Sequence, residues 1–206
     1  IASRDSPYDD NGHGTMMAGI LVADGALTGL AVDVNLYVAK ALSGNGEGND
    51  ETVAEAIDWC IAKNVNIISL SLGGNASGFS IILGDQVEDA VENAYNAGIV
   101  VIAAAGNDGG SNDDGDVSSP GIVDTVICVG GVDVDGNLWS GSSIGDNNGR
   151  IWPPMLPRNS PDEKPEVVAP GHKVPVIMLG NEWGLSSGTS AATVYVTGVV
   201  ALMFEA

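Results

Sequence analysis

The sequence predicts an α/β domain of three layers, with helices on both faces of a mostly parallel, doubly wound sheet. Three observations lead there. Short apolar runs rich in β-branched residues alternate with stretches of helical spacing, which implies βαβ crossovers and a parallel sheet. The strand-like runs are continuously apolar rather than alternating, as in strands covered on both faces. The 206 residues, 44% hydrophobic and 17% charged, suffice for one domain with a substantial core.

Taken in order, Asn11-Gly12-His13-Gly14-Thr15 opens a small-residue helical stretch over 16–22. Residues 34–42 read as a strand. Residues 51–62 read as a helix, with Val53, Ala54, Ile57 and Ile61 on one stripe. A strand over 65–72 ends at the Gly73-Gly74 break. Val87, Val91 and Ala94 carry helical spacing through 83–97, closed by Gly98 at the C-cap position. Residues 99–105 and 125–129 form further buried strands, and 190–205 a last helix. Residues 107–121 are a polar, glycine-rich loop. Residues 141–164, with Trp152-Pro153-Pro154 and Ser160-Pro161, form a surface excursion. Neither a repeat nor a linker interrupts the chain, so residues 1–206 are expected to be a single domain.

Charge narrows the partners. With 27 acidic against 7 basic residues the formal net charge is -20, which disfavours nucleic acid, since phosphate binding needs a basic footprint. No apolar run reaches the roughly 18 residues of a membrane span. Cys60 and Cys128 both lie in apolar segments. One long-range disulfide is a reading, and two buried thiols are the expected state.

Three short motifs carry candidate chemistry. His13 sits between two glycines at a helix start, where close approach to a substrate is open and the helix fixes the ring; a lone His in such a turn is also a common structural residue. Ser190, in Ser187-Gly188-Thr189-Ser190-Ala191-Ala192, falls in the first turn of a helix. There, unpaired N–H groups and the positive end of the dipole surround any developing negative charge; the bland alternative is a helix cap. Asn107 follows the buried strand Ala103-Ala104-Ala105-Gly106. It is either a turn residue or a side-chain amide aimed at an oxyanion.

Together and in this order, His-Gly-Thr, Ala-Ala-Gly-Asn and Ser-Gly-Thr-Ser resemble the motifs of the subtilisin-like serine proteases. Lesser matches agree: Gly29-Leu30-Ala31 leading to Leu36-Tyr37-Val38-Ala39-Lys40, Ser69-Leu70-Ser71-Leu72-Gly73-Gly74, and Lys164-Pro165-Glu166-Val167-Val168-Ala169-Pro170-Gly171. The resemblance covers nearly the whole chain. It implies a serine endopeptidase in which His13 is the general base, Ser190 the nucleophile, and Asn107 with the Ser190 N–H the oxyanion hole. It further implies that Ser71, Leu72 and Gly73 pair with extended substrate backbone and that Ala104, Ala105 and Gly106 wall the specificity pocket. The expected partner is a peptide or protein substrate and the expected setting extracellular or cell-surface. No cofactor is needed for the chemistry.

The same resemblance exposes an absence. The family's triad has an Asp on a strand well upstream of its His, whereas only twelve residues precede His13. Asp5, Asp9 and Asp10 lie there, but none ends an apolar strand, and they read as an acidic loop leading into the His helix. The sequence is therefore expected to be part of a longer or cleaved chain, with the first strand and its Asp supplied by a pro-segment or upstream fragment. Without that acid the base lacks a counter-charge and a fixed tautomer, so these residues alone are expected to be inactive. Two other readings stay open: a catalytically silent binding or structural module, and the acid-acting serine-carboxyl peptidases, against which His13 argues because those enzymes use a Glu base. Smaller departures, Met16-Met17 after the His motif and Thr193-Val194-Tyr195 after the Ser motif, touch neither nucleophile nor base. Asn112, Asp113, Asp114 and Asp116 are hard oxygen donors of the kind a structural Ca²⁺ takes, but their spacing fits no named calcium motif and no metal residue is assigned.

Overall fold

The computed structural model describes residues 8–74, 86–110, 116–145 and 163–206. Its elements are α1 (His13–Val22), α2 (Asp50–Ala62), β1 (Ile67–Leu70), α3 (Gln86–Asn96), β2 (Val100–Ala104), β3 (Ile127–Val132), β4 (Val167–Pro170), β5 (Val174–Met178), β6 (Glu182–Ser186) and α4 (Thr189–Glu205). Strands β1 to β4 form one parallel sheet in sequential order, and β5 pairs antiparallel with β6.

Period-two alternation sorts the side chains of the parallel sheet into two cores. Val101 and Ala103 of β2, with Ile68 and Leu70 of β1, meet Val53 and Ile57 of α2 and Val87, Ala90, Val91 and Ala94 of α3. The opposite face sends Ile102 of β2, Val129 of β3 and Ala169 of β4 against Ala192 of α4. Helices thus cover both faces, which is why β2 is apolar along its whole length. A third cluster joins α1, α4 and β5 through Met17, Ile20, Val174, Val176, Ala191 and Val194.

Local signals explain the boundaries. Asn49 caps α2 by accepting from the Thr52 N–H at 2.8 Å while the Thr52 hydroxyl bonds the Asn49 backbone, a reciprocal cap at the helix start. Gly98, at φ 81°, ends α3 in the left-handed conformation that glycine takes most easily. The long final helix starts at Gly188, whose N–H bonds the Gly171 carbonyl at 2.8 Å, tying the head of α4 to the end of β4.

One expected strand is missing. Residues 34–42 make no ladder, although they are as apolar as the other strands. A cavity of about 1510 Å³ has residues 34–42 and β1 among its lining. Strand β1 is paired only on its β2 side among the described residues. Leu36, Tyr37 and Val38, also in that lining, are 43, 50 and 68% exposed. The β5–β6 hairpin was not anticipated. Cys60 is half-buried and Cys128 buried, and neither is in a disulfide. Of the candidate calcium ligands, Asp116, which is buried, lies within the described residues, and Asn112, Asp113 and Asp114 lie outside them. Most of the expected 141–164 excursion also lies outside them.

The side-chain packing sets a test. Ile102 is fully buried between the sheet and α4, so Ile102→Ala should cost about 2–5 kcal/mol of unfolding free energy. Val134→Ala, at a site 96% exposed, should change it by less than about 0.5 kcal/mol. Urea denaturation of both variants checks the contrast.

Candidate active site

The three motif residues come to one end of the fold by three routes. Asn107 follows the carboxyl end of β2, His13 is the first residue of α1, and Ser190 lies in the first turn of α4. All three line the large cavity, together with Ser71 just beyond β1. This is the carboxyl edge of the parallel sheet, where functional groups gather in open α/β folds.

A buried threonine aligns Asn107. The Thr189 N–H donates to Asn107 Oδ1 at 2.9 Å, and the Thr189 hydroxyl lies 3.1 Å from both Asn107 Oδ1 and the Gly106 carbonyl. The Gly106 N–H donates back to that hydroxyl at 3.1 Å. With its oxygen occupied, the Asn107 amide leaves its Nδ2 donors for the cleft, and the residue itself is exposed. Gly106 must be glycine for two reasons. Its φ is 113°, and an added Cβ would stand 2.5 Å from Ser118 Oγ and 2.6 Å from Ser143 Oγ.

Ser190 is linked to the strand end rather than to His13. Its hydroxyl donates to the Ser71 carbonyl at 3.2 Å, and the Ser71 hydroxyl donates to the Ser190 carbonyl at 2.9 Å. The His13 ring hydrogen-bonds to none of the described residues. Burial, the larger influence, pushes the His13 pKa below 6.5, while the charge of Asp9 pulls it upward. His13 is therefore neutral at neutral pH and free to accept a proton.

The other expected residues fall around this edge. Ser71, Leu72 and Gly73 continue from β1 past its last ladder pair, Leu70 with Ala103. Gly73 passes so close to residues 118 and 119 that a Cβ would lie 3.0 Å from the Ser119 carbonyl oxygen. Ala104 and Ala105 are buried and Gly106 half-buried beside them. Sequence reasoning overlooked Thr189 as the group that orients Asn107, and the Ser71 side chain as a partner of Ser190. Thr189 stands beside the serine in its motif, which was the one available signal. Among the described residues no group of three or more His, Cys, Asp or Glu side chains is arranged to hold a metal ion.

A family model described as the subtilase family matches residues 1–206. Serine protease AprX of Bacillus subtilis (strain 168) is 35% identical over 233 residues, covering 100% of this chain and 51% of that protein. Subtilisin DY of Bacillus licheniformis is 35% identical over 96% of this chain and 65% of its own length. Among solved structures, Sphericase superposes with a TM-score of 0.77 at 30% identity, covering 99% of this chain and 67% of that one. The chain thus spans between about half and two thirds of the curated relatives named here.

The lowered pKa of His13 sets a linkage test. Because the folded protein binds its proton less readily than the unfolded chain, stability contributed by neutral His13 is complete above pH 6.5. It is lost as pH falls toward the folded-state value. Unfolding free energy measured by urea should therefore rise with pH as it approaches 6.5 from below, and His13→Gln should remove that part of the rise. An identical slope in the variant contradicts the assignment.

Proposed function

The chain belongs to the subtilase family, and from that premise we propose that it is the catalytic domain of a serine endopeptidase acting through an acyl-enzyme on Ser190. The observation that carries this reading is the Thr189 latch, which leaves the Asn107 Nδ2 donors facing the cleft beside the first turn of α4.

In this mechanism a peptide lies extended along Ser71, Leu72 and Gly73 as an added strand, its side chain entering the pocket walled by Ala104, Ala105 and Gly106. The Ser190 hydroxyl turns from the Ser71 carbonyl toward His13. His13 takes its proton as Oγ attacks the scissile carbonyl carbon, and the carbonyl π pair moves onto oxygen. The Asn107 Nδ2 and the Ser190 N–H hold that oxyanion, helped by the positive end of α4. As the carbon–nitrogen bond breaks, His13 gives the proton to the leaving amine. Water then attacks the ester with His13 again as base, releasing the carboxylic acid and restoring the serine. No cofactor enters these steps.

On this reading the triad acid comes from a strand inserted beside β1. The edge of β1 that is unpaired among the described residues, the exposed apolar residues 36–38 and the cavity they both line, with His13 also in its lining, support an inserted strand whose terminal carboxylate would reach the His13 ring. A pro-segment or upstream fragment is the proposed source. The family likeness supports an extracellular or cell-surface setting. A second reading, a catalytically silent module, is favoured by the resting geometry, in which Ser190 Oγ bonds Ser71 and the His13 ring has no hydrogen-bond partner among the described residues. The 206 residues by themselves should rest in this silent state.

An active-serine phosphonate should label the full-length product at Ser190, and Ser190→Ala should abolish labelling, as read by peptide mass spectrometry. Labelling that survives the substitution refutes the nucleophile, and a full-length product that is never labelled favours the silent module. Asn107→Ala should lower kcat by about 10²–10³, the loss known for the oxyanion asparagine of subtilisin itself.

A further inference from the structure

His13 is an awkward place for a base. It is the first residue of α1, where the exposed N–H groups and the positive end of the helix dipole oppose a second positive charge. The preceding residue, Gly12, has φ 99° and no side chain, so α1 has no N-cap acceptor of the usual kind. Asp9 takes over that task from outside the helix. Its Oδ1 accepts from the Asn11 and Gly12 N–H groups at 2.9 and 2.8 Å. Its Oδ2 accepts from the Thr15 N–H at 2.8 Å and the Thr15 hydroxyl at 2.7 Å. Both carboxylate oxygens are thus committed to the turn that holds His13. Asn11 completes it, its Oδ1 accepting from the His13 N–H at 3.2 Å and its Nδ2 donating to the Gly44 carbonyl at 2.9 Å.

We propose that Asp9 is a positioning residue for His13: it closes the Asn11–Thr15 turn that aims the imidazole, and it supplies the negative charge that offsets the start of α1 when His13 takes a proton. Asp9 is distinct from the triad acid, because its oxygens are spent on backbone and Thr15 donors and none bonds the His13 ring. Neighbouring charges do not substitute for it. Asp10 is paired with Lys40 at 2.6 Å, which leaves that pair without net charge. Asp33, on the segment after α1, also lines the cavity, but Asp9 is the charge that acts on His13. Four donors on one carboxylate hold Asp9 far below the usual range, so it stays ionised wherever His13 titrates.

The proposal deepens the protease reading and rests on it for its purpose, but its test needs no turnover. The chain has two histidines, His13 and His172, whose ring carbon–proton signals can be titrated separately by two-dimensional NMR. In Asp9→Asn the His13 midpoint should fall while that of His172 stays. In Thr15→Val, which keeps the charge and removes the hydroxyl, one of the two donors to Oδ2, the His13 midpoint should stay but its ring signals should broaden or split. A His13 midpoint in folded Asp9→Asn equal to that of the wild type overturns the proposal. If Asp9→Asn does not fold, Thr15→Val decides: sharp, unshifted His13 signals in that variant overturn it. A product that titrates as expected but is never acylated at Ser190 sinks the protease reading alone.

Discussion

The site depends on one buried hydroxyl. Thr189 is fully buried where the end of β2 meets the start of α4, and its Oγ1 both accepts from the Gly106 N–H and donates toward the Gly106 carbonyl or Asn107 Oδ1. A hydroxyl has a single proton, so at any instant it donates to one of the two acceptors, and the Thr189 N–H keeps Asn107 Oδ1 occupied throughout. Losing such a group in a dry location leaves buried polar atoms unpaired, at about 1–3 kcal/mol each. More consequential is the geometry. Without the hydroxyl the Asn107 amide is held by the Thr189 N–H alone, and the Gly106 N–H and carbonyl lose their partner at the head of α4.

The rest of α4 extends that constraint across the sheet. The Thr193 hydroxyl donates to the Thr189 carbonyl at 2.9 Å, and the Thr197 hydroxyl lies 2.8 Å from the Thr193 carbonyl and 2.9 Å from Ser69 Oγ. Threonines spaced four apart thus place small, internally satisfied polar groups on a helix face pressed against strands. Gly198 allows an equally close approach on another side, since an added Cβ would stand 2.6 Å from Leu30 Cβ. Small residues, not a strong amphipathic stripe, let this helix sit near enough to the sheet for Ser190 to meet the end of β1. In the lining of the same cavity, Asp9 does for α1 what Thr189 does for α4, fixing the first turn of a helix whose cap is glycine.

Strand β2 was legible because burial on both faces writes itself as continuous apolarity, and α2 and α3 because their buried residues recur at helical spacing; with α4 they stand within a few residues of where the sequence put them. Residues 34–42 carry the same apolar signal, yet strand formation needs a partner edge, and among the described residues they pair with none. Periodicity reports what a segment can bury, not whether its neighbour is present. The β5–β6 hairpin escaped notice for the opposite reason. Strand β6 is largely exposed, with Trp183 at 55% and Leu185 at 67%, and β5 buries only Val174 and Val176, with Pro175 between them. Of the site, the three motif residues were readable and their supports were not. Thr189 and Asp9 act through hydrogen bonds to groups 82 and 6 residues away, and nothing in a one-dimensional pattern marks which polar side chain will be turned inward.

The most direct measurement is a crystal structure of the full-length protein with a peptidyl boronate bound to Ser190 Oγ. If the Thr189 latch aims Asn107, one boronate oxygen should lie about 2.7–3.1 Å from both Asn107 Nδ2 and the Ser190 nitrogen, with Asn107 Oδ1 still on Thr189. An adduct whose oxygens point away from Asn107, or an Asn107 amide turned off Thr189 with its oxygen in the cleft, would contradict it.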